Sequence, residues 1–145
     1  MENKWVKVVA NWEGDMNFSA ENDAGGHVTM GTINGFTGIG PMQLLLVGLA
    51  GCTGMDIVSI LRKKRVILDQ FKVEVKALRA STFPMIWTDI QVMYLFWSND
   101  IKSKDIEQAI QLSEDKYCSV SIMLGESARI TSSYQVYKPG EIPDN

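Results

Sequence analysis

The chain has 145 residues, 46% hydrophobic and 21% charged, with a net charge of −3. This length suits one domain that buries enough surface to fold without a disulfide or metal staple. The acidic balance argues against nucleic acid and anionic membrane as partners, because both select basic surfaces. Cys52 and Cys118 are the two cysteines, and His27 is the one histidine. Neither a disulfide framework nor a C-x-x-C pair is present, and the Cys/His set lacks metal-ligand spacing. No metal and no cofactor are therefore expected. The start, Met1-Glu2-Asn3-Lys4-Trp5, lacks the basic and apolar regions of a signal peptide, which predicts a cytoplasmic protein with reduced thiols.

The first third reads as a β-meander. Val6, Val8, Ala10 and Trp12 alternate with Lys7, Val9 and Asn11, the period of a strand. Glu13-Gly14-Asp15 supplies a turn, and Met16, Phe18 and Ala20 form the apolar side of a second strand. Asn22-Asp23-Ala24-Gly25-Gly26 is a second turn signal, and Val28 and Met30 continue into a third strand, where His27 reads as a strand-end or surface residue. A glycine-rich loop follows, with Gly31, Gly35, Gly38 and Gly40. It reads as a plain connection, a substrate cradle or a crossover between subunits.

Pro41 is placed to open a helix, where its missing N–H costs nothing. The apolar run Met42–Leu61 is long enough to span a membrane, but Gln43, Thr53, Asp56 and Ser59 interrupt it. It is expected to be a buried helix of a soluble core. The run Arg62-Lys63-Lys64-Arg65 suits the negative end of that helix's dipole. Gly48, Gly51 and Gly54 recur every third residue, each costing about 1 kcal/mol relative to alanine. Such a stripe permits close approach of another backbone and points to hard packing, including packing by a second subunit.

Phe71, Val73, Val75 and Ala77 alternate with Lys72, Glu74 and Lys76, which predicts a strand with one wet face. Ile86–Trp97 is apolar on both faces toward its end, as a central strand is. Ser103 is a candidate N-cap for a helix with Ile106, Ala109 and Ile110 on its apolar side. A short helical turn from Cys118 to Leu124 and a last strand around Ile130, Tyr134 and Val136 complete the domain, residues 1–138. Residues 139–145 are a polar, frayed tail. This order is α+β and lacks the βαβ alternation and glycine fingerprint of a nucleotide-binding fold.

Two readings of the cysteines compete. Free cysteines are often small buried hydrophobes. The sharper reading is a two-cysteine peroxidase, in which one thiolate becomes a sulfenic acid and the second thiol converts it to a disulfide.

The segments Gly40-Pro-Met-Gln-Leu-Leu-Leu-Val-Gly-Leu-Ala-Gly-Cys-Thr-Gly-Met-Asp56 and Lys116-Tyr-Cys-Ser-Val120 resemble the OsmC/Ohr family, and the likeness extends over nearly the whole chain. The resemblance implies an intertwined homodimer of an α+β fold and thiol-dependent reduction of organic hydroperoxides in oxidative-stress defence. It makes Cys52 the peroxidatic thiol and Cys118 the resolving one, reset by a dithiol reductant. Active members are similar in holding an arginine before the cysteine helix and a glutamate near its start. Here no arginine precedes Arg62, and no acid lies between Asp23 and Asp56. Met42 occupies the glutamate's position, ten residues before the thiol, with Gln43 beside it. Asp56, four residues after Cys52, shares its helix face and opposes a thiolate. Met42, Gln43 and Asp56 are the expected site-lining residues. The alternative function is a non-peroxidase relative that binds a small apolar ligand or responds to redox state.

Overall fold

The computed structural model describes residues 3–31 and 38–144. Gly35 of the predicted glycine loop lies outside the described residues. The chain forms two compact units, residues 1–45 and 46–145.

In the first unit, β1 (Val8–Trp12), β2 (Asn17–Asn22) and β3 (His27–Gly31) form an antiparallel meander in the order β1-β2-β3. Both hairpins depend on left-handed backbone that their turn residues supply: Gly14 and Asp15 in the first turn, Gly25 in the second. Asn22 fixes the second turn, its side-chain Oδ1 accepting from the N–H groups of Ala24 and Gly26. His27 is exposed at the start of β3, as a strand-end histidine.

Helix α1 (Pro41–Lys63) starts in the first unit and continues through the second. Gln43 secures its start by accepting from Gly40 N–H at 2.9 Å. Its far end closes in a Schellman turn: Val66 N–H donates to Leu61 O and Arg65 N–H to Arg62 O, with Arg65 at φ 61°. The helix is long and apolar enough to cross a membrane by length and composition. As expected of a core helix it buries a stripe, Leu49, Thr53, Gly54, Ile57 and Leu61, while Val47 and Met55 are exposed in the single chain.

The second unit continues with β4 (Gln70–Arg79), β5 (Trp87–Trp97), α2 (Ser103–Leu112), a π-helical turn (Ser113–Tyr117), α3 (Ser119–Gly125) and β6 (Arg129–Tyr137). β5 is central, antiparallel to β4 and parallel to β6. Two-sided burial explains the continuous apolar run of β5, where Val92, Tyr94, Leu95, Phe96 and Trp97 are all buried. In β4, Phe71, Val73, Val75 and Ala77 are half-buried while the intervening lysines and glutamate are exposed. The core joins the α1 stripe to Ile90, Val92, Tyr94 and Phe96 of β5 and to Ile106, Ala109 and Ile110 of α2. Phe71 stacks on Phe96 with centroids 4.8 Å apart.

Two local expectations change. Lys102, not Ser103, is the N-cap of α2, and no side chain caps that end. The polar tail is tied down at Glu141, whose carbonyl accepts from Trp97 Nε1 at 2.7 Å.

Left-handed backbone costs a residue with a Cβ roughly 1–2 kcal/mol, against roughly 0.5–1 kcal/mol for the extra unfolded-state freedom of glycine. Arg65→Gly is therefore expected to raise unfolding free energy by up to about 1 kcal/mol in urea titrations, and Arg65→Val to lower it.

Candidate functional site

Cys52 stands mid-way along α1, half-buried and packed against the core. Asp56 follows one turn later on the same face, as i, i+4 spacing requires. The π-helical turn brings the third group. Its wide ring is closed by Cys118 N–H donating to Ser113 O at 2.7 Å, and it ends by placing Cys118 as the N-cap of α3. Cys118 is fully buried. Cys52 Sγ, an Asp56 carboxylate oxygen and Cys118 Sγ all lie within 4.8 Å of one another. Both thiols are free.

Each group is held by its surroundings. Ser113, itself fully buried, donates from Oγ to Asp56 Oδ2 at 3.0 Å, so the end of α2 is tied to α1 through the carboxylate. Cys118 Sγ accepts from Ser121 N–H at 3.3 Å, and Ser121 Oγ donates to Cys118 O at 3.0 Å. Thr53 Oγ1 donates to Leu49 O, which satisfies a polar group buried in the helix stripe. Beneath the thiols, Tyr94 donates to Glu114 Oε1 at 3.0 Å and Ser132 to Glu114 Oε2 at 3.1 Å.

Burial sets the electrostatics. It pushes the Cys118 thiol up, and the thiol–thiol hydrogen bond with Cys52 adds to this, against the Ser121 N–H that favours the anion. Burial likewise raises the Tyr94 phenol. It raises the Glu114 carboxyl against the two hydroxyl bonds that favour its anion. Asp56 has no lysine or arginine in ion-pair distance among the described residues. It lines a cleft of ≈ 470 Å³ together with Ser59, Ile60, Lys63, Leu112 and Tyr117.

The expected site residues thus divide. Cys52, Asp56 and Cys118 come together in the second unit. Met42 and Gln43 stand in the first turn of α1, within the first unit. Ser113, Ser121, Tyr94 and Glu114 were not singled out by the sequence reading. Ser113 carries no motif, and its role depends on a π-helical turn that no periodicity announces.

A buried thiol that binds its proton more tightly folded than unfolded stabilises the fold below the unfolded thiol pKa, and this contribution is lost as pH rises through the folded value. Unfolding free energy is therefore expected to fall above about pH 8.5, the ordinary thiol range. Denaturant titrations across that range should show a shallower fall in Cys118→Ala. An equal slope in both proteins would assign the loss to other groups, Tyr94 first among them at higher pH.

The OsmC-like protein family model matches residues 34–133. "Protein YhfA" of Escherichia coli K12 is 32% identical over 131 residues, covering 90% of this chain and 98% of that protein. The crystal structure of a hypothetical protein from Aquifex aeolicus VF5 superposes with a TM-score of 0.84 at 31% identity, over 94% of this chain and 98% of that one. The organic hydroperoxide resistance protein OhrB of Bacillus subtilis shares the fold, with a TM-score of 0.63 at 17% identity over 91% and 98% of the two chains. With its two thiols adjacent on that fold, the chain belongs to the OsmC-like family.

Proposed function

We propose that this protein is a thiol-dependent hydroperoxide reductase in which Cys52 is the peroxidatic thiol and Cys118 the resolving thiol. The carrying observation is that a half-buried and a fully buried thiol lie within 4.8 Å of each other. The reaction balances as follows. Cys52 sulfur attacks the outer oxygen of an organic hydroperoxide, the O–O bond breaks, and the alcohol leaves with the proton. Cys118 sulfur then attacks the Cys52 sulfenic acid, water leaves, and a disulfide forms. A dithiol reductant returns two electrons and two protons. Accessibility supports this division of roles, since the first thiol must meet substrate and the second only its neighbour. The cleft beside Asp56 offers apolar walls at Ile60, Leu112 and Tyr117 for the organic group of the peroxide. Its size falls within the range of small-molecule sites. The hydroperoxide resistance named for the Bacillus subtilis protein of the same fold points the same way.

A second reading rests on Asp56. A carboxylate beside Cys52 with no cation paired to it among the described residues disfavours the thiolate. A slow thiol one helical turn from a cleft with apolar walls at Ile60, Leu112 and Tyr117 suits a binder of small, partly apolar ligands. Peroxide consumption decides between them. Cumene hydroperoxide with a dithiol reductant is expected to be turned over by the wild type and not by Cys52→Ser. Turnover no faster than that of a free thiol, together with a rise in melting temperature on adding an apolar ligand, would replace the peroxidase with the binder.

We also propose that the active form is a homodimer. Among the described residues nothing outside the helix lies within 4 Å of where a Cβ on Gly48 or Gly51 would stand, so packing among those residues does not explain them. Gly51 and Gly54 floor an open depression of ≈ 370 Å³ with Met55, Val58, Phe71 and Val73 around it. Met55 is 76% exposed on that surface. A second copy covers this apolar ground. Sedimentation equilibrium is expected to give a dimer, and Gly51→Leu, which fills the depression, to shift it at least 10-fold toward monomer (about 1.4 kcal/mol, the low end of an overpacking cost). A monomeric wild type would remove the proposal.

A further inference from the structure

We propose that Cys52, Asp56 and Cys118 form a three-ligand site for a thiophilic divalent cation of the zinc class, with a fourth coordination position left for water or an added ligand. The inference stands on geometry and does not require the peroxidase reading.

The donor set is the first argument. Two sulfurs and one carboxylate oxygen lie within 4.8 Å of one another. Tetrahedral zinc, with Zn–S of about 2.3 Å and Zn–O of about 2.0–2.2 Å, draws its ligands to within roughly 3.8 Å of each other. Closing that difference needs movement of roughly 1 Å. The expectation of no metal rested on sequence spacing with His27 as the third donor. Folding supplies Asp56 instead, one helical turn from Cys52, with Cys118 brought in from a distant element.

The surroundings are the second argument. Metal ligands are usually oriented by donors outside the coordination shell. Asp56 Oδ2 accepts from the fully buried Ser113 Oγ, which leaves Oδ1 to the ion. Cys118 Sγ accepts from the Ser121 N–H. Both are held in place with or without a ligand.

Charge is the third argument. No lysine or arginine among the described residues pairs with Asp56. A divalent cation supplies the positive charge that carboxylate lacks and binds the two sulfurs as thiolates, releasing their protons to solvent. Sulfur donors select zinc-class ions over magnesium and calcium, which take oxygen ligands. Three protein ligands leave the fourth position to water, unlike the four-ligand pattern of closed structural zinc sites.

Cobalt(II) is the probe. Titration of the full-length, phosphine-reduced protein is expected to produce a thiolate-to-cobalt charge-transfer band and tetrahedral visible bands that saturate at one ion per chain. Zinc(II) should erase them. Cys52→Ser and Cys118→Ser are each expected to lose part of the charge-transfer band, and Asp56→Asn to weaken cobalt binding by at least ~10-fold. Absence of the band in the wild type overturns the site, and unchanged affinity in Asp56→Asn overturns the role of the carboxylate. Should the variants fail to fold, the wild type alone decides. One equivalent of zinc is expected to slow alkylation of the half-buried Cys52 well below its rate in the metal-free protein, and an unchanged rate refutes the proposal. None of these readouts depends on turnover, so the peroxidase and the metal site stand or fall separately.

Discussion

Parallel pairing of β5 with β6 is the constraint from which the thiol pair follows. Parallel neighbours cannot be joined by a tight hairpin; the chain must travel back along the sheet before the second strand begins. That return path is α2, the π-helical turn and α3. The face of α2 that carries Ile106, Ala109 and Ile110 is buried in the same core as the α1 stripe. The crossover therefore has to run beside α1, and whatever it carries at its bend meets whatever α1 carries at mid-length. Cys118 is at the bend and Cys52 is at mid-length.

The site so formed is at odds with itself electrostatically. Bringing two thiols together in a partly dry pocket favours their neutral forms, and Asp56 adds a fixed negative charge on the same helix face. Ser113 satisfies that carboxylate by a hydrogen bond but does not neutralise it. Such an arrangement suits a thiol pair that rests protonated and changes state only when something enters the site. It does not suit one held permanently as thiolate by a resident arginine.

Strand and helix identities were legible in the sequence because periodicity reports burial directly. The alternation of Phe71 to Ala77 became the half-buried face of β4, and the apolar run to Trp97 became the central strand. Both cysteines were singled out, and Asp56 was placed beside Cys52 by simple helix spacing. What was not legible depends on groups far apart in the chain. Ser113 meets Asp56 across 57 positions. Tyr94, Glu114 and Ser132 form one hydrogen-bonded set drawn from a strand, the π-helical turn and another strand. The N-cap of α2 was misread because Ser103 has the right chemistry one position too late. The apolar run of α1 signalled a core helix, and within this chain one stripe of it is covered.

The π-helical turn carries one residue more than the direction of Cys118 requires. Its closing bond joins residues five apart, one more than an α-helix spans. Removing a single residue between Ser113 and Tyr117 lets the segment relax to an ordinary α-turn, whose fourth residue takes nearly the angular place that the fifth holds in the wider ring, so Cys118 keeps its direction toward Cys52. This stretch of the molecule can therefore give up its extra residue without giving up the thiol pair, and the pair depends on the two cysteines rather than on the width of the turn that presents one of them.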